Sequence, residues 1–161
     1  QSTDDRVKLD KPVTPAFLFA ALLWVPVRKQ TQANVDAGMP YAVALQKAAT
    51  RLVARQVRYV SIPKRFTTTM RDIWALQSRF RHHSGRRAVS VYQHPKFRAA
   101  YDFLCLRANA GETPVDDCRW WTELQEKSPE QQKKILAAPG RGPRKRNPNK
   151  RKAAAPGKQA K

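Results

Sequence analysis

Metal-assisted transfer chemistry on nucleotides needs two or three carboxylates converging on divalent ions, commonly one residue apart on a strand so that both face one way. The acidic pairs of this 161-residue chain, Asp4-Asp5 and Asp116-Asp117, are adjacent, so on a strand their side chains diverge. Asp116 fits better as a charge favoured at a helix start. Glycines are scattered, and neither kind of glycine-rich phosphate loop is spelled out. His82, His83 and His94 have no Cys or carboxylate at metal-ligand spacing, and two adjacent histidines project to different sides. They read as exposed histidines at a helix end beside Arg81, Arg86 and Arg87. Only two cysteines occur, Cys105 and Cys118, 13 apart with no His partner, and so low a count excludes a disulfide scaffold or a four-cysteine zinc site. They are expected to be small core residues, reduced as in a cytosol. The residues themselves therefore assign no catalytic group, no metal ligand and no cofactor.

What remains is positive charge. The chain carries 32 Lys plus Arg against 12 Asp plus Glu, a net charge of +20. Its distribution is uneven: residues 51–107 hold 13 basic and 2 acidic groups and residues 139–161 hold 9 and none, whereas 1–50 and 108–138 are nearly balanced. A central block and a tail so biased point to a polyanionic partner rather than to ordinary solvation of helices. The candidate phosphate contacts are Lys47, Arg51, Arg55 and Arg58, at steps of 4, 4 and 3 on one helix face, then Lys64 and Arg65 in a loop. Arg71, Arg79, Arg86 and Arg87 follow, then Lys96 and Arg98 at a helix start, and Arg144, Lys145 and Arg146 in the tail. Pro95-Lys-Phe-Arg98 would add free backbone N–H groups to its own cations as a phosphate cradle, unless Arg98 instead pairs with Asp102 at i,i+4.

The elements that must position these cations are helical. No stretch alternates cleanly over more than a few residues, and capping residues followed by Pro punctuate the chain: Thr14-Pro15, Thr113-Pro114 and Ser128-Pro129 with Gln131 as a capping box, with Met39-Pro40 and His94-Pro95 as weaker members. Helices are expected near 15–29, 40–60, 67–82, 86–93, 95–109, 114–127 and 129–137, with Pro26 kinking or ending the first. Val43, Ala44, Ala48 and Leu52 should pack one side of the second; Met70, Ile73, Trp74, Gln77 and Phe80 the third; Phe97, Ala100, Tyr101 and Leu104 the fifth. The aromatic stripe of Trp74, Phe80, Phe97 and Tyr101 reads as core rather than as a base-stacking platform. The expectation is an all-α domain of six to seven helices over 13–138, preceded by a linker or upstream remnant at 1–12 and followed by a Lys/Arg/Pro-rich tail at 139–161, disordered when free. No apolar run reaches the roughly 18 residues of a membrane span. With Gln1 rather than Met at its start, the chain reads as a processed or truncated piece.

Several of these segments, in order, can be matched to a family. Ile62-Pro-Lys-Arg-Phe-Thr-Thr68, Arg71-Asp-Ile-Trp74 with Leu76-Gln77, Gly85-Arg-Arg-Ala88, His94-Pro-Lys-Phe-Arg-Ala-Ala-Tyr-Asp102, Leu106-Arg-Ala108 and Trp120-Trp121 resemble the C-terminal part of the bacterial poly(A) polymerase I family. Val13-Thr-Pro-Ala-Phe-Leu-Phe-Ala-Ala21 resembles the segment just ahead of it, so the likeness spans about 13–127, with the tail alike in composition only. The resemblance implies the end of the body, the RNA-binding region and the arginine-rich tail of an adenylyltransferase. Its parent would use ATP and magnesium to extend single-stranded RNA 3′ ends in the bacterial cytoplasm, marking transcripts for decay. The nucleotidyltransferase head would lie elsewhere, leaving this fragment inactive. A monomer without a membrane and contacts with RNA-decay proteins are further expectations, and RNA binding is expected to be largely sequence-independent because phosphate neutralisation by Lys and Arg carries it. A stand-alone basic helical protein that binds RNA or DNA without catalysis is the competing reading.

Overall fold

Capping chemistry at Thr14 starts the first helix. In the computed structural model, which describes residues 14–138, Thr14 Oγ1 accepts the Phe17 N–H at 3.4 Å and Pro15 occupies the first helical position. Among the described residues eight helices follow in chain order: α1 (Pro15–Leu22), α2 (Trp24–Asp36), α3 (Tyr41–Val57), α4 (Lys64–Gln77), α5 (Gly85–Tyr92), α6 (Phe97–Asn109), α7 (Val115–Gln125) and α8 (Pro129–Ala137). No strand occurs among the described residues, so the all-α expectation is met. The expected tail at 139–161 and linker at 1–12 lie outside the described residues.

Eight rather than seven helices arise because the break falls at Leu23 and not at Pro26. Pro26 sits in the first turn of α2, where its missing N–H has no intrahelical partner to lose, so proline is tolerated there. Ser128 and Gln131 form the expected capping box. At α7 the expected cap is displaced by one residue: Pro114, not Thr113, precedes the first helical residue, and no side chain caps it.

Two apolar clusters share α4 and α6 as a common spine. Phe17, Trp24, Val27, Leu45, Val53 and Phe103 gather with Met70, Ile73 and Trp74 of α4 in the first. Leu76, Phe80, Val91, Phe97, Leu104, Trp121 and Leu136 form the second. The α4 stripe is as expected: Met70, Ile73, Trp74, Gln77 and Phe80 are all buried. Trp74 is fully enclosed and donates its indole N–H to the Ala20 carbonyl at 3.1 Å, which settles it as core. Phe80 and Phe97 are core as well, while Tyr101 is half-buried and donates its hydroxyl to Thr122 at 2.7 Å. On α3 the stripe is rotated: Val43 is 53% exposed, and Ala44, Leu45, Ala48, Ala49 and Val53 are the buried positions.

Polar groups complete the spine. Buried Gln77 donates to the carbonyls of Ile73 (2.9 Å) and Ala100 (3.0 Å), and its amide oxygen accepts from Arg107 at 3.2 Å. Burial holds the Arg107 guanidinium below its ordinary value while Glu112 opposes that shift. Glu112 also accepts the Trp24 indole N–H at 2.8 Å, and Arg107 lies 4.6 Å over the Trp24 ring. Gly111, at φ +72°, is the left-handed residue that lets the chain fold back after α6 and bring Glu112 to Arg107.

One expectation about the cysteines is overturned. Cys105 on α6 and Cys118 on α7 form a disulfide, with Cα atoms 5.2 Å apart, rather than two free thiols. The α6–α7 hairpin brings helices antiparallel, so residues 13 apart in sequence meet across the contact. That proximity is a property of the turn and not of the cysteine count.

Candidate nucleic-acid interface

The cations fall into two arrays of different shape. Lys47, Arg51 and Arg55 project from α3, with Arg58 capping its C-terminus, and all four are exposed. Spaced at helical intervals, they form a ridge. At about 100° per residue that ridge lies opposite Ala49, with Gln46 and Thr50 on the flank between. Those residues and α4 line a cleft of about 320 Å³ that contains Arg71, Asp72 and Arg79. Lys64 and Arg65 are exposed in the first turn of α4, with the Arg65 guanidinium 4.9 Å over the Phe66 ring. The expected helix start near 67 therefore lies earlier, and both residues are helical rather than part of a loop.

The second array is concave. Arg79 and His82 from the turn after α4, and Arg86, Arg87 and Ser90 from α5, line one cavity of about 340 Å³. Arg79 belongs to both cavities and links them. Gly85, at φ +73°, permits the sharp entry into α5 that sets its first turn beside the 78–84 segment. His82 is half-buried, and burial first, then Arg87, Arg81 and His83, hold its imidazole below the ordinary range. The reading of His82, His83 and His94 as exposed is corrected here, since all three are half-buried. His83 stacks on Trp120 at 4.4 Å between ring centres, with its Nε2 2.9 Å from Asp117 Oδ1 but poorly aligned for a hydrogen bond. That stack, with the Trp121 indole N–H on the Phe80 carbonyl at 2.8 Å, ties the 78–84 turn to α7.

Electrostatic pairing separates these residues from other predicted contacts. Among the described residues no carboxylate oxygen lies within 4.0 Å of a charged nitrogen of Lys47, Arg51, Arg55, Arg58, Lys64, Arg65, Arg71, Arg79, Arg86 or Arg87. Arg98 differs: its Nε is 3.5 Å from Asp102, its Nη1 donates to Gln125 at 3.2 Å, and it lies 5.5 Å over Tyr101. Its positive charge is thus partly spent within the fold. The Lys96 backbone N–H is also occupied, donating to His94 Nδ1 at 3.1 Å, and the Phe97 N–H bonds the His94 carbonyl at 2.8 Å. The Pro95-to-Arg98 cradle is therefore half filled by the protein itself. Arg144, Lys145 and Arg146 lie outside the described residues. Sequence reasoning missed His82 and Ser90 as members of the cavity; the only signal was their position between and among arginines, since neither shares a helical face with Arg79.

Residues 37–154 match the family described as the polymerase A arginine-rich C-terminus. Similar proteins include poly(A) polymerase I of Escherichia coli O6:H1 (strain CFT073), 41% identical over 139 residues, and that of Salmonella typhi, 40% identical over 139. The poly(A) polymerase I of Haemophilus influenzae (strain Rd) is 35% identical over 138 residues. Each match covers 84% of this chain and 30% of the relative, so the chain spans about a third of the length of the curated relatives it matches.

Proposed function

The chain belongs to the poly(A) polymerase I family through that arginine-rich C-terminal region, and from this premise we propose that it is the part of such an enzyme that grips RNA. The observation that carries the reading is the set of exposed cations, on the α3 ridge and around α5, that no carboxylate neutralises among the described residues. Phosphates neutralised by such groups release counterions, and this contribution is indifferent to base sequence. The whole protein would add adenylates from ATP, with magnesium, to single-stranded RNA 3′ ends in the bacterial cytoplasm, and RNA-decay proteins would meet its basic tail. This chain would act as a monomer and hold the RNA without transferring adenylate itself. The reason lies in the acids: Asp116 and Asp117 are adjacent on α7, Asp116 paired with Arg119 at 3.8 Å and Asp117 set against His83, so neither carboxylate is arranged for two metal ions.

The test is fluorescence anisotropy of labelled oligoadenylate, and of a mixed-sequence RNA of equal length, across a range of salt. Expected are similar affinities for both RNAs and a log–log salt slope of about −0.7 per phosphate contacted. A flat salt response overturns the reading. Incubation of the same chain with ATP, magnesium and RNA should leave the RNA length unchanged; tail synthesis by the purified chain would overturn the assignment of inactivity.

A further inference from the structure

We infer that the cavity between the 78–84 turn and α5 is a seat for one phosphate group of the RNA backbone, with Arg79, Arg86 and Arg87 supplying charge and His82 and Ser90 supplying neutral hydrogen bonds. This rests on the RNA-binding reading and sharpens it from a diffuse field to a discrete subsite. The lining is the first argument: it is drawn from three arginines, a histidine and a serine, with no acidic residue among them. Guanidinium groups match phosphate oxygens in pairs of N–H bonds, and a hydroxyl can complete an oxygen's coordination.

The second argument is energetic. Arg86 and Arg87 stand in the first turn of α5, where the helix dipole disfavours cations, and no acidic residue occupies that turn. Arg79 adds a third positive charge to the same cavity. Like charges so placed oppose folding unless an anion joins them. The helix start is also open, because Ser84 makes no side-chain cap bond to it. A neutral His82 fits a site already holding three positive charges: burial together with Arg87, Arg81 and His83 keeps it uncharged near neutral pH, so it offers an N–H without a fourth repulsion.

The experiment uses the intact chain and two double variants that each remove two positive charges: Arg86→Gln with Arg87→Gln in the cavity, and Lys133→Gln with Lys134→Gln on the exposed side of α8. Oligoadenylate affinity at fixed salt should fall about tenfold or more for the first, as expected for losing charge-assisted hydrogen bonds. For the second it should fall about twofold or less, as for exposed, screened charges outside the cavity lining. The His82 imidazole resonance should move on adding RNA to the wild type and the α8 variant and stay still in the cavity variant. Thermal melts of the cavity variant should be unchanged or raised, because it relieves repulsion at a helix start. Equal weakening by the two doubles, with wild-type binding intact, overturns the seat and leaves the RNA grip standing. Loss of wild-type RNA binding altogether overturns the grip. Inorganic phosphate that shifts His82 at the concentrations at which oligoadenylate does would overturn the assignment to the RNA backbone and make the site one for free phosphate.

Discussion

The α3 ridge and the α5 cavity present similar cations in opposite geometries. On α3 the side chains of Lys47, Arg51, Arg55 and Arg58 diverge from a convex surface, each in water and each screened over roughly 10 Å or less. Around α5, Arg79, Arg86 and Arg87 converge from two elements onto one space, beside a half-buried imidazole. Charge on a ridge adds to a field that any polyanion feels. Charges that converge on one space can act together on a single group that fits it, even though these arginines are exposed. The difference lies in how each array is specified: a ridge needs one helix and its period, whereas a cavity needs a turn, a left-handed glycine and a neighbouring helix to hold the turn.

The spine beneath both regions gives the largest effect. Truncating Trp74 to Ala removes a fully buried indole that bonds α4 to the Ala20 carbonyl, at a cost of about 3 to 5 kcal/mol in stability. Ridge and cavity should fail together as the melting temperature drops, while whatever fraction remains folded keeps its RNA affinity. An unaltered melting curve with lost RNA binding would reverse this assignment and make Trp74 part of the binding surface.

A second change separates the regions. The disulfide joins α6 to α7, and α7 holds the 78–84 turn through the Trp120–His83 stack and the Trp121–Phe80 hydrogen bond. Reduction, or Cys105→Ala with Cys118→Ala, should lower stability by about 3 kcal/mol, the chain-entropy value for a loop of this size. RNA binding through the cavity should weaken, and the contribution of the ridge should persist. Denaturant melts and anisotropy with and without reductant would show this; equal loss from both regions would mean that the hairpin stabilises the whole fold rather than the turn.

Direct comparison of the arrays is the third test. Removing Arg86 and Arg87 should weaken oligoadenylate about tenfold or more, and removing Arg51 and Arg55 about two- to fivefold, because diverging charges act individually whereas converging ones can bond one phosphate together. Both should reduce the salt slope by about 0.7 for each RNA phosphate that is no longer neutralised. Ridge variants that weaken binding as much as cavity variants would erase the distinction drawn between them.

These contrasts also explain which features are legible in the sequence. Proline-marked starts at Thr14 and Ser128, the α4 packing stripe and the cationic face of α3 follow from local chemistry and a 3.6-residue period. Val43 departs from its expected place because α2 and α4 set which arc of α3 is buried, something its own apolar residues leave ambiguous. The Arg98–Asp102 pair is legible too, as an i,i+4 spacing on α6, whereas the Cys105–Cys118 bond, the Arg98–Gln125 hydrogen bond and the cavity depend on helices meeting across turns. His82 escapes sequence reasoning for the same reason: a histidine among arginines in a turn has no period, and its partners are fixed only when Gly85 folds α5 back beside it.

The smallest effect is the dependence of binding on pH, and its sign distinguishes the cavity from the ridge. In the free protein His82 has a folded-state pKa below its unfolded value, near 6.5, through burial and then Arg87, Arg81 and His83, with Arg79 and Arg86 lining the same space. Stability from this residue is therefore present above that value and is lost as pH falls through the lower folded pKa, because the unfolded chain then binds more protons. A phosphate seated beside the imidazole favours its charged form, so the complex takes up protons that the free protein does not. Affinity for oligoadenylate should then rise about two- to threefold between pH 7.5 and 5.5, by linkage, while the stability of the free protein declines. His82→Asn should flatten both trends and leave the Lys47, Arg51 and Arg55 contribution untouched, since those groups keep their charge throughout this range. Anisotropy titrations and melts at each pH measure the two opposing slopes, and an affinity that falls with acidification would remove His82 from the site.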